Sequence, residues 1–170
     1  MPFDFQPTLQ GALVELRPLR PDDEQPLFAV ASDPLIWEQH PASDRYKPEV
    51  FSALFRESLA SGGALVAIDR KDGRIIGSSR FHSYNEAASE VEIGWTFLAR
   101  SNWGGQYNRE MKQLMLRHAF RFVKRVVFLV GLENMRSQKA VEKLGAVRTG
   151  RRPNAVGRDS YLYEITFVPE

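Results

Sequence analysis

The stretch from Glu90 to Val130 limits the fold more than any other part of this 170-residue sequence. Glu90 to Leu98 alternates like a strand, and Asn102 to Gln106 is a polar loop holding Gly104 and Gly105. From Tyr107 to Arg125 the apolar residues Met111, Leu114, Met115, Ala119, Phe122 and Val123 recur at helical spacing. Val126 to Val130 is then continuously apolar and mostly β-branched, the pattern of a strand covered on both faces. A strand, loop, helix and buried strand in that order require a crossover, and a crossover makes two strands parallel.

The remainder reads as antiparallel sheet with short helices. Leu13 to Arg17 is a first strand, stopped by Pro18 and Pro21. Asp22 or Asp23 caps a helix through Leu27, Phe28 and Val30, which Asp33-Pro34 ends. Pro48 to Ala60 is a second helix, closed by Gly62-Gly63. Ala64 to Asp69 and Arg74 to Phe81 flank Lys71-Asp72-Gly73, a hairpin signal. Ser137 to Leu144 is a short helix terminated by Gly145, and Val147 to Gly150 and Ser160 to Val168 are two last strands. The order β-α-α-β-β-β-α-β-α-β-β predicts a mixed α/β sheet of about seven strands, mostly antiparallel, with a central parallel crossover and about four flanking helices. No repeat or long linker interrupts residues 1–170, so a single domain is expected. The apolar run from Tyr161 to Val168 is a candidate edge strand that pairs with a second copy, making a homodimer possible.

Composition narrows the chemistry. There is no cysteine, which removes disulfides, thiolate metal sites and a cysteine nucleophile. No His, Asp and Glu cluster has metal-ligand spacing, so no metal is expected. A net charge of +2 does not describe a nucleic-acid binder. No apolar run reaches the roughly 18 residues of a membrane span, and the N-terminus lacks an export pattern, so a cytoplasmic protein is expected.

Gly104 and Gly105 just before a helix carry the functional signal. The first amides of a helix have no intrahelical partner and sit at the positive end of its dipole, a place suited to phosphate. Glycines there let the backbone approach an anion closely. A Gly-Gly of this kind is also an ordinary turn, and the spacing alone does not separate the two readings.

Two longer stretches do. Val91-Glu92-Ile93-Gly94-Trp95-Thr96-Phe97-Leu98 followed by Trp103-Gly104-Gly105-Gln106-Tyr107-Asn108-Arg109-Glu110 resembles the central motif of the GNAT acetyltransferases, and within them the RimJ/RimL branch. Glu133 to Ala146 resembles that branch's asparagine–serine–alanine–lysine–leucine–glycine helix. Leu16-Arg17-Pro18-Leu19, Asp33-Pro34, Ile76-Gly77-Ser78 and Gly157-Arg158-Asp159-Ser160 extend the likeness over nearly the whole chain, in family order. One departure stands out: Gln106 and Asn108 occupy positions where the family's pyrophosphate loop has glycine, or glycine or alanine.

The resemblance implies a GNAT acyl-CoA N-acyltransferase fold and the cofactor acetyl-CoA. It implies acetyl transfer to a primary amine, on a peptide or protein N-terminus or a small molecule, by direct attack on the thioester. A GNAT-shaped module that binds coenzyme A without turnover, and acts through protein contacts, is the alternative. In the implied roles, backbone groups of Phe97 and Leu98 bond the pantetheine arm, and Trp103, Gly104, Gly105, Gln106, Tyr107 and Asn108 cradle the pyrophosphate. Asn134 and Ser137 lie near the thioester. Ser137 is also placed to cap its helix. Acyl transfer needs an uncharged amine and a protonated leaving thiolate. Glu92, facing away from Val91 and Ile93, is the candidate base, with a solvated surface glutamate as the other reading. Tyr107 and Ser137 are candidate proton donors, and His82 faces a possible acceptor groove. The acceptor is expected among residues 33–48, 82–90 and 153–157, whose Trp37, His40, Tyr46, Tyr84 and Glu86 suit a cationic amine.

Overall fold

The computed structural model describes residues 2–169. Its frame is one sheet built from β1 (Leu9–Gln10), β2 (Val14–Pro18), β3 (Ala64–Asp69), β4 (Ile75–Asn85), β5 (Glu90–Leu98), β6 (Arg125–Gly131), β7 (Val147–Pro153) and β8 (Asp159–Ile165). Four helices flank it: α1 (Glu24–Ala31), α2 (Pro48–Ser61), α3 (Gln106–Ala119) and α4 (Met135–Lys143). The strand order is β1-β2-β3-β4-β5-β6-β8-β7, and every neighbouring pair is antiparallel except β5 with β6. The mixed sheet, the central crossover and the four helices match the expectation. The eighth strand is β1, whose two residues pair with Leu16 and Glu15 and are too short to show a period in sequence.

The sheet separates two cores. On one face Val14, Leu16, Leu65, Ala67, Val91, Ile93, Val126 and Phe128 pack with Met111, Met115, Leu116 and Ala119 of α3 and Val141 of α4. On the other, Val66 and Phe97 pack with Leu27 and Ala31 of α1, Phe51 and Phe55 of α2, and Trp37. Trp37 is a packing residue, its indole donating to the Ala31 carbonyl at 2.9 Å.

Two expectations are corrected. The long helix ends at Ala119 rather than Arg125, and Phe122 and Val123 both bond back to the Ala119 carbonyl in a terminal turn. Their apolar spacing continues the helical rhythm after the helix has stopped. Second, β8 is an interior strand, paired with β6 on one side and β7 on the other. The apolar strand that suggested dimerisation has no free edge. The edge on this side is β7, which is largely exposed and carries Arg148, Arg151 and Arg152, charges that discourage strand addition.

Candidate active site

The site begins where the sheet comes apart. The parallel ladder joins Glu90 to Arg125, Val91 to Val126 and Glu92 to Val127, and there it stops. Beyond it, β5 pairs only with β4, and β6 only with β8. The register of β4 against β5 moves from Arg80↔Gly94 to Ser78↔Phe97, three residues along β5 for two along β4. The extra residue is a bulge around Trp95, whose φ is 54°. A bulge bends its strand, and this one turns β5 away from β6. It also reverses the alternation, so Ile93 and Leu98 lie in the α3 core while Phe97 lies in the α2 core.

At the far end of β5, Trp103-Gly104-Gly105 turns the chain into α3. Gly104 has φ 118° and Gly105 φ 104°, values that L side chains avoid, and a Cβ on either would meet nothing within 4 Å. No side chain caps α3, and its first backbone bond runs from the Arg109 N–H to the Gly105 carbonyl at 2.9 Å. The amides of Gln106, Tyr107 and Asn108 are thus left facing outward at the positive end of the helix. Gln106 is the first helical residue and has no positive φ, so the strained positions fall on the two glycines.

Trp103 links three elements. Its indole donates to the Leu98 carbonyl at 3.0 Å, and the Arg136 guanidinium of α4 lies 4.3 Å over its ring. The Ala99 amide donates to Ile76 on β4. By alternation Phe97 is therefore also directed at β4, and only Leu98 faces the gap. Of the two backbone positions expected for a pantetheine arm, the geometry leaves Leu98, with its carbonyl held by Trp103.

Asn134, buried, caps α4: its Oδ1 accepts the Ser137 amide at 3.3 Å. The cap is Asn134 and not Ser137, whose hydroxyl has no hydrogen-bond partner among the described residues. Both residues follow the end of β6, on the opposite bank of the gap from Leu98. Tyr107 is not brought to them. Its hydroxyl donates to Asp69 on β3 at 3.1 Å, with β4 lying between β3 and β5, so it is badly placed as a proton donor there.

Lys112, in the second turn of α3, was not evident as a site residue. It is 4% exposed, and its Nζ donates to Thr96 Oγ1 at 2.8 Å and Asn108 Oδ1 at 3.3 Å, with no carboxylate in salt-bridge reach among the described residues. Burial pushes its amine down to about 7. Its spacing with Met115, Leu116 and Ala119 put it on the buried stripe, a signal masked by lysine's preference for surfaces.

The other face of β4 and β5 is polar. Glu92 is 7% exposed, and burial raises its carboxyl to about 7 against the opposing pull of Arg152 and Arg80. Its cross-strand partner is His82, with Nδ1 3.6 Å from Glu92 Oε1 and the imidazole held below its ordinary value by burial. The solvated-surface reading of Glu92 is excluded by its burial. The His82 ring is 4.9 Å from Trp95, and on the same indole Arg80 stacks at 4.1 Å. Arg80, 1% exposed, is held by Glu57 of α2 through two bonds of 2.8 Å and by Ser58 Oγ at 2.6 Å. Arg158, just past the turn of the last hairpin, donates to the Pro41 carbonyl at 3.0 Å, while Tyr84 packs instead against Phe3 and Phe5.

The parallel strands thus part beside a glycine-led helix whose first amides are uncapped. Residues 14–147 match the model of the acetyltransferase (GNAT) domain, so the chain belongs to the GNAT acetyltransferase family. A candidate acetyltransferase from T. thermophilus is 28% identical, with 98% of this chain and 90% of that one aligned at a TM-score of 0.74. A GCN5-related N-acetyltransferase from Brucella melitensis is 21% identical over 95% and 79%, at a TM-score of 0.79. Mycobacterium smegmatis RimJ, in complex with CoA-disulfide, is 21% identical over 94% and 86%, at 0.67. The last two share the fold. No curated protein matches in sequence.

Proposed function

We propose that this GNAT protein is an N-acetyltransferase of the RimJ/RimL-like kind, moving an acetyl group from acetyl-CoA to a primary amine. The observation that carries the reading is the set of open amides at Gln106, Tyr107 and Asn108, placed by two positive-φ glycines where β5 leaves β6. These donors fit a diphosphate, and the gap beside Leu98 fits an extended amide-bearing arm. Acetyl-CoA supplies the activated acyl group as a thioester.

The chain's own residues supply the rest. Glu92, with its carboxyl near 7, accepts a proton from the acceptor ammonium at neutral pH, which leaves the nitrogen lone pair free to attack. The N–C bond forms as the C–S bond breaks; the nitrogen sheds its second proton, and the departing sulfur takes one up. The Ser137 hydroxyl, without a hydrogen-bond partner among the described residues and on the β6 bank of the gap, is the group assigned to give the sulfur its proton while taking up the one the nitrogen sheds. Asn134 fixes the start of α4 and so the place of Ser137.

Thermal unfolding with and without coenzyme A tests the cofactor. At a hundred times its Kd, one ligand stabilises the fold by about 2.7 kcal/mol. Gly104→Val, a β-branched residue at φ 118°, is expected to weaken binding about a hundredfold or more while the far-UV spectrum stays native. Absence of any shift with the wild type would sink the assignment; a shift without acyl release from any amine would favour a binding module.

A further inference from the structure

Arg45 is a cation without an acid. Its half-buried guanidinium reaches His40 Nε2 at 3.4 Å and lies 5.7 Å from the Trp37 ring, and no carboxylate oxygen is in salt-bridge distance among the described residues. Behind it is a second guanidinium. Arg80 and Arg45 line one cavity between the sheet and α2, together with Ser58, Ser78, Trp95 and Phe97. The Arg80 Nε is the one buried side-chain nitrogen or oxygen without a partner among the described residues. Glu57 is committed to the two Nη atoms of Arg80.

The neighbouring charges do not restore balance. Burial and then Arg80 hold Arg45 down to about 10, with only partial compensation from Glu57 and Asp44. His40, between Arg45 and Arg158, is driven to about 4 by burial and those two cations, so it adds no acid. Glu92 is raised by burial and is half neutral near pH 7. Guanidinium resists deprotonation, so this region stays positive under all ordinary conditions. A polycationic amine beside Arg45 would add a like charge, whereas a carboxylate there would supply the counter-charge that Arg45 lacks.

We infer that the acceptor amine carries a carboxylate of its own, received by the Arg45 guanidinium, so the acceptor class is an amino acid or short peptide and not a polyamine or aminoglycoside. This rests on the acyl-transfer reading. The cavity, about 10 Å³ as it stands, has room for about one water and not for a carboxylate. The acid group therefore meets Arg45 from its open side, and the amine lies across Trp95 toward Glu92 and His82. Trp95 bridges the two ends, with Arg80 on its ring and His82 at 4.9 Å. An Arg-carboxylate fork also fixes orientation, which a single amine contact does not.

The test uses the full chain, wild type and Arg45→Met, with coenzyme A affinity measured first by calorimetry. Initial rates are then compared for amino acids, their α-amides, the matching decarboxylated amines and spermidine. The acids are expected to show a kcat/KM about tenfold or more above their amides. Arg45→Met is expected to bring that ratio near one with coenzyme A affinity unchanged, and Arg45→Lys to restore part of it. A preference for spermidine or for amides, or an acid-to-amide ratio untouched in Arg45→Met, overturns the inference. In parallel, the Arg45 Nε–H resonance is titrated with N-acetylglycine and with N-acetylglycinamide. A saturable shift with the acid alone supports the site, and no shift overturns it whether or not turnover is found. Failure of the wild type to bind coenzyme A is read separately, as failure of the acyl-transfer assignment.

Discussion

The two faces of one sheet have been given different work. Toward α3 and α4 the strands present Val14, Leu16, Leu65, Val91, Ile93, Val126 and Phe128, a continuous apolar layer interrupted by Lys112. Toward α1 and α2 the same β4 and β5 present Arg80, His82, Glu92 and Trp95, and the apolar layer survives only around Phe51, Phe55 and Phe97. Burial is comparable: Ile93 is 1% exposed and Arg80 also 1%. What differs is whether the buried groups are at ease there. Hydrocarbon gains from leaving water, whereas charge is tolerated only with partners. The first face holds the strands together, and the second buries ionisable groups whose titration burial shifts, Glu92 upward and His82 downward.

If that contrast is right, substitutions on the two faces should move stability in opposite directions. Leu116→Ala, on the apolar face, is expected to cost about 3 kcal/mol in urea unfolding without altering any pH dependence. Lys112→Met sharpens the comparison by removing the exception. Between about 7 and the ordinary 10.5 the unfolded chain holds a proton that the folded one has released, so wild-type stability rises with pH across that window. The variant should lack this slope, which reaches about 1.4 kcal/mol per pH unit, and should be the more stable protein by about 2 kcal/mol at pH 7. A slope retained in the variant would show that Lys112 is not the source. Glu92→Gln should behave as the opposite case. From 4.5 to about 7 the folded carboxyl keeps a proton that the unfolded one loses, so wild-type stability falls with rising pH and the variant's does not. At pH 8 the variant should be more stable by about 1–2 kcal/mol and slower by about a hundredfold, with the limb near pH 7 gone from its rate profile. A variant that is slower and also less stable would place Glu92 among structural residues.

Much of the fold could be read from residues because it rests on local rhythm. The crossover showed itself in the change from alternation in Glu90–Leu98 to helical spacing after Tyr107, and Gly62, Gly73 and Gly145 marked turns with their positive φ. The order of β8 and β7 was hidden, because two strands of a hairpin look alike until a third chooses between them. The bulge was hidden for a different reason: one additional residue leaves no compositional trace, and Trp95 is an unusual residue at φ 54°. Around the site, the glycine turn was legible as a backbone device, while the cap expected at Ser137 lies at Asn134. Lys112 and Arg45 were not legible, since a basic side chain in sequence is an ordinary surface residue and only packing shows Lys112 buried and Arg45 half-buried. Tyr107 was placed by its position in a motif, while its hydroxyl is taken by Asp69, a partner that only the tertiary structure brings near.

The single surplus residue near Trp95 makes the gap a matter of counting. Replacing a side chain there leaves the tally unchanged, so the strands still diverge. Removing one residue would restore even pleating with Phe97 and Leu98 on their present sides, and would let the sheet zip shut. Natural variation in this segment should therefore tolerate changes of letter far better than changes of length.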